Sequence, residues 1–157
     1  MFKKIGNKLN KLYIWTIMVL NTTYHNKDND LIINDLIGKR FSLMRSLKIG
    51  GIGSGRMIVD EVSPNFQQYV NGVADITYGN IELRPHGILL YIHKQLQQFT
   101  WVIPYYQLYV YKTNGVTIHG QGSFVHFRND NRSRANKKFF DKMMDMRVDE
   151  TADHYFI

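Results

Sequence analysis

Six histidines, His25, His86, His93, His119, His126 and His154, are the residues of this chain best suited to hold a metal or move a proton. No two of them stand four positions apart, the spacing that sets a ligand pair on one helical face. His119 and His126 flank an expected hairpin turn and can approach each other. Two imidazoles without a nearby carboxylate make an incomplete site, so no metal or other cofactor is expected. Carboxylates can pair for acid–base work, but Asp60, Glu61, Asp75 and Glu82 are scattered over different strands. Asp141, Asp145, Asp149 and Glu150 lie on or just past the last expected helix, mostly away from its Phe/Met face, and read as solvated. Ser54 sits in Gly-Ser-Gly without the strand–turn–helix context of a nucleophile elbow. Cysteine is absent, which removes thiolate nucleophiles, disulfides and Cys–zinc sites together. No catalytic constellation emerges, and the expectation is a protein that is not an enzyme.

Residues suited to binding are more evident. The net charge is +7, and its distribution is one-sided. Residues 1–56 hold ten Lys and Arg against three Asp and Glu, a net +7, whereas residues 57–157 hold ten of each. Such an asymmetry points to an arm that meets an anionic partner. Within it, Lys3, Lys4, Lys8 and Lys11 precede the apolar run Leu12–Leu20. A second basic cluster, Arg128, Arg132, Arg134, Lys137 and Lys138, falls where a loop enters the last helix, a place where backbone N–H groups also favour anions. Tyr105, Tyr109 and Tyr111 share one parity along an expected strand and form a candidate interface for a protein partner. Ordinary cross-strand aromatic pairing is the plainer reading of the same residues. Stacking of single-stranded bases is a weaker one, and nucleic acid is not the expected partner.

The elements that must position these residues follow from the apolar pattern. The run Leu12–Leu20 spans nine residues, against about 20 needed to cross a bilayer, so no transmembrane span is expected. It lacks small residues at the spacing of a secretory cleavage site. Phe2, Ile5, Leu9, Leu12 and Thr16 recur at helical steps, which describes an amphipathic helix that packs on the body or lies on a membrane surface. The expectation is a cytoplasmic chain, with peripheral membrane attachment as an option and secretion as the lesser alternative. A second helix is expected from Asp28 or Asp30 to about Lys48, with Ile33, Leu36, Ile37, Phe41, Met44 and Leu47 as its inner stripe. Gly38 weakens it, and a strand through Leu36–Leu43 is the alternative. Gly50-Gly51-Ile52-Gly53-Ser54-Gly55 follows a helix and precedes a strand, the reverse of a phosphate loop, and reads as a hinge between the arm, residues 1–56, and the body, residues 57–157.

The body reads as short strands and turns: 73–77, 81–83, 87–93, 98–103, 105–112, 116–119 and 123–128. Pro85-His86-Gly87, Asn114-Gly115 and Gly120-Gln121-Gly122 supply turns. A helix is expected from about Ala135 to Val148, with Phe139, Phe140, Met143, Met144 and Arg147 on its inner side. The fold class is therefore α+β, mainly β: an antiparallel curled sheet or barrel capped by a C-terminal helix, with an N-terminal helical arm.

Gly87-Ile-Leu-Leu-Tyr91, Phe99-Thr-Trp-Val-Ile-Pro-Tyr105, Leu108-Tyr-Val-Tyr111, the hairpin to Phe127 and the Phe139-Phe140 helix follow one another in an order that resembles a bacterial pleckstrin-homology-like domain. The resemblance covers about residues 66–148 and rests on order and spacing. It implies a binding or scaffolding module that contacts a protein partner or an anionic lipid surface. The alternatives are a small-ligand barrel, or an enzyme built on one, and a nucleic-acid binder.

Overall fold

A computed structural model describes residues 17–72 and 74–155, with the side chains of His154 and Tyr155 left aside. The expected N-terminal amphipathic helix, with Lys3, Lys4, Lys8 and Lys11, lies outside the described residues, as do Val73 of the first expected strand and the end of the C-terminal tail. The described chain begins with a short strand, β1 (Val19–Asn21), followed by helices α1 (Lys27–Ile37) and α2 (Leu43–Lys48). Strands β2 (Met57–Val62), β3 (Thr77–Arg84), β4 (Gly87–Lys94) and β5 (Gln97–Pro104) form a meander. Strands β6 (Tyr109–Tyr111), β7 (Val116–Gly120) and β8 (Ser123–Phe127) form a second one. Helices α3 (Asn131–Ala135) and α4 (Lys137–Tyr155) complete the chain.

All eight strands join one antiparallel sheet in the order β1-β5-β4-β3-β2-β8-β7-β6. The two meanders meet where β2 pairs with β8, through a register shift between Val59 and Glu61 that bends the strand. The sheet is curled but not closed: β1 and β6 are its edges. The fold is α+β, mainly β, with a C-terminal helix.

Burial explains why the strands form where they do. β3 alternates buried and half-buried residues, with Thr77, Gly79, Ile81 and Leu83 turned inward. β4 and β5 instead read as near-continuous apolar runs because both of their faces are covered. Their inner face joins Trp101, Ile103, Leu90 and Ile92 to Phe66, Phe127, Phe139, Phe140 and Met143 in the main core. Their outer face, Leu89 and Val102, packs under Ile33 and Ile37 of α1 together with Met18. Each fully buried side chain of this size contributes about 1.5–3 kcal/mol relative to exposure.

Four expectations fail here. The single helix to Lys48 is broken at Gly38, whose φ of 86° belongs to the left-handed region that glycine tolerates. Tyr105–Gln107 is a 3-10 turn, so the expected strand 105–112 shrinks to β6, and the first expected strand starts only at Thr77. The glycine-rich stretch, read as a hinge, is strapped along β3: Leu83 donates from its backbone N to Ile52 O at 2.7 Å, and Ser54 N donates to Ile81 O at 2.8 Å. Its Gly55 N also donates to Asn136 Oδ1 at 2.7 Å, which ties it to the start of α4. Backbone N–H groups committed in this way are not available to cradle a phosphate.

Candidate functional site

The basic cluster near α3 is largely neutralised by its neighbours. Arg128 makes two bonds to Asp60 Oδ1, 3.1 Å from Nε and 2.8 Å from Nη2. Arg132 lies 3.7 Å from Asp130. Arg134 donates to Asn129 and Asn131. Lys137 and Lys112 both hold Asp141, at 2.7 Å and 2.9 Å, and their hydrogen bonds pull its carboxyl down to about 2. Asp130 caps α3 through a reciprocal bond with Ser133. Of the five residues, Lys138 alone is exposed without an ionic or hydrogen-bonded partner among the described residues. The cluster mainly braces the junction between β8 and α4.

The tyrosine trio divides. Tyr105 is fully buried, and its hydroxyl donates to Arg84 O at 3.0 Å, so it belongs to the core and not to an interface. The 3-10 turn breaks the two-residue period that was to place it beside Tyr109 and Tyr111. Burial, with Glu150 nearby, raises its phenol pKa well above the ordinary value. Tyr109 and Tyr111 do point outward from edge strand β6, 54% and 55% exposed, joined by Tyr106. Arg147 lies over the Tyr109 ring, and His119 meets Tyr111 edge-on.

The polar groups considered for catalysis are dispersed. His126 Nδ1 is 2.7 Å from Thr117 Oγ1, whereas His119 packs between Tyr111 and Phe124. Among the described residues no three His, Asp or Glu side chains gather as metal ligands. Glu82 is the most connected acid: it accepts from Arg84 Nε at 2.9 Å and from the Tyr91 hydroxyl at 3.2 Å. Arg84 also donates to Asn34 Oδ1 and Gly38 O, which clamps the end of α1 to the sheet. Burial first, then Glu82, raises the Tyr91 pKa far above its ordinary value, so this phenol stays protonated as a structural donor. An open cleft of about 540 Å³ beside β2 is lined by Asp60, Asn71, Asp75 and Arg128. Asp60 and Arg128 pair with each other there, and Asn71 bonds to Gln95 N, Ile76 O and Thr77 Oγ1.

The most unusual surface lies on α2. Ser42 caps its start, accepting from Arg45 N, and Gly50 and Gly51 close its end with φ of 78° and 92°. Phe41 and Ile49 on either side are half-buried against the main core. Between these anchors Leu43, Met44 and Leu47 face outward, 77%, 73% and 72% exposed. Their spacing places them on one helical face. Lys142 of α4 donates to Gly50 O at 3.1 Å and Gly51 O at 2.8 Å, which holds the helix C-terminus down. Lys39 and Arg40 precede the helix, and Arg45 and Lys48 lie within it, all exposed. Among the described residues only Arg40 of these four reaches an acid, Glu82, at 3.8 Å. Sequence reasoning had turned Met44 and Leu47 inward. The signal that marks this site is the absence of any Asp or Glu between Asp35 and Asp60, a stretch that holds five cations.

No family model matches the chain, and neither a curated protein nor a solved structure matches it.

Proposed function

We propose that this chain is a non-enzymatic binding module of pleckstrin-homology-like character that docks peripherally on an anionic membrane surface through its N-terminal third. The observation that carries the reading is the way charge is sorted over the molecule. In the body ten acids offset ten cations, and Arg84, Lys112, Arg128, Arg132 and Lys137 each pair with an acid. In the N-terminal third, Lys39, Arg45 and Lys48 are exposed and, among the described residues, form no ion pair. Uncompensated positive charge on one side steers a protein toward an anionic surface.

Two further features support it. The inside of the curled sheet is filled by Trp101, Phe66, Phe127, Ile81 and Leu83, none with appreciable exposure, which favours an outer surface over an internal ligand cavity. Two antiparallel meanders joined through β2 and β8 and followed by α4 are compatible with the module proposed. Among the described residues no helix is long and apolar enough to cross a membrane. The connection from β2 to β3, residues 63–76, carries no Lys or Arg, so the proposed docking draws on the segment before the sheet.

Co-sedimentation of the full chain with phosphatidylcholine vesicles, with and without phosphatidylserine, tests the reading. Pelleting only with the anionic vesicles is the expected result. Failure to pellet, or tight binding to single-stranded nucleic acid in its place, overturns it. A deletion through residue 20 is a poor variant, because Val19 and Leu20 pair with β5. Substituting Lys3, Lys4, Lys8 and Lys11 by Glu measures the contribution of the basic start while keeping that strand. A second reading, a protein partner along β6, draws on exposed Tyr106, Tyr109 and Tyr111 at a free sheet edge.

A further inference from the structure

We infer that α2 is the element that enters the membrane: Leu43, Met44 and Leu47 insert among the acyl chains of an anionic bilayer while Lys39, Arg40, Arg45 and Lys48 meet the headgroups. The inference rests on the docking reading above and deepens it by naming the contact.

Single exposed apolar residues are ordinary on protein surfaces, but three large ones on one short helical face are not. The helix is not a frayed end that shows core residues by accident. Phe41 and Ile49 fasten it inward on both sides, Ser42 caps one end, and Lys142 bonds to the carbonyls of Gly50 and Gly51 at the other. This arrangement holds the apolar face outward. An apolar face on a helix whose other side and flanks carry cations is the pattern of helices that lie in a bilayer interface. What selects a lipid surface over a protein is charge. The helix and the segment before it carry four cations, no acid occurs in sequence from Leu36 to Val59, and among the described residues only Arg40 of the four has an ionic partner. A large, uniformly negative surface complements it, and each basic residue adds attraction that salt screens.

The chain has no cysteine, so Leu47→Cys supplies a single attachment point for an environment-sensitive fluorophore. The labelled full chain is mixed with vesicles of phosphatidylcholine alone or with added phosphatidylserine. A blue shift with the anionic vesicles only, together with pelleting, is expected. The Leu43→Ser, Met44→Ser, Leu47→Ser triple variant is expected to keep its melting temperature, since these side chains are mostly exposed, and to lose at least about tenfold in vesicle affinity. If the unsubstituted chain pellets but the triple variant pellets equally, or the probe stays in water, docking stands and the role of α2 falls. If the unsubstituted chain does not pellet at all, both readings fall. A blue shift that follows protein concentration without vesicles assigns the face to a second copy of the chain and overturns the proposal.

Discussion

Gly87 sits at the tightest contact between α1 and the sheet. A Cβ added there would stand 2.4 Å from Ile103 O and 2.5 Å from Ile37 Cγ2. The carbonyl belongs to the β4–β5 ladder and cannot retreat without breaking it, so Gly87→Ala is expected to cost about 2–3 kcal/mol, read in a chemical denaturation curve. His93 makes a second residue-level prediction. Burial, aided by Arg56, lowers its pKa below the ordinary value, and its Nε2 lies 3.0 Å from Asn80 Oδ1. The unfolded chain therefore binds a proton at higher pH than the folded one. Stability is complete above the unfolded value of about 6.5 and declines as pH falls from there toward the lower folded value. Melting temperatures measured from pH 7.5 down to pH 5 should fall, and His93→Gln should flatten part of that fall. His119, also lowered by burial, accounts for a further part. At this scale the sequence was legible where a turn demanded a special residue: Asn114 and Gly115, with φ of 49° and 109°, were readable as a turn from residue type alone. Tyr105 was not, because the three-residue 3-10 turn Tyr105–Gln107 changes which parity faces the core.

Among the elements, α2 depends on few anchors, and Lys142 is one of them. Lys142→Met removes its two bonds to the loop carbonyls while keeping an apolar stem of similar length. Amide hydrogen exchange should accelerate in residues 43–51 with little change in global melting, because that segment opens locally. The hairpins β3–β4 and β7–β8 were legible from alternation and turn residues, and α4 from its Phe/Met face. β1 was not: three residues at the end of an apolar run become a strand only because β5 offers a free edge far along the chain. The outward face of α2 was equally hidden, since Phe41, Leu43, Met44, Leu47 and Ile49 supply apolar residues on every side and periodicity alone cannot choose among them.

Over the whole molecule, the charge of the N-terminal third sets how docking should respond to salt. Raising the salt from about 0.1 M to about 1 M shortens the Debye length from about 10 Å to about 3 Å. Pelleting with anionic vesicles should weaken strongly over that range and leave a residue of apolar binding that the triple serine variant lacks. The pairing of β1 with β5 carries a different consequence, one for biosynthesis. Val19 meets Trp101, which is polymerised 82 positions later. A ribosome moving at about 5–20 residues per second leaves the first strand without its partner for roughly 4–16 s. The nascent chain must keep Met18, Val19 and Leu20 from other company for that interval, a longer wait than any other described strand pairing imposes.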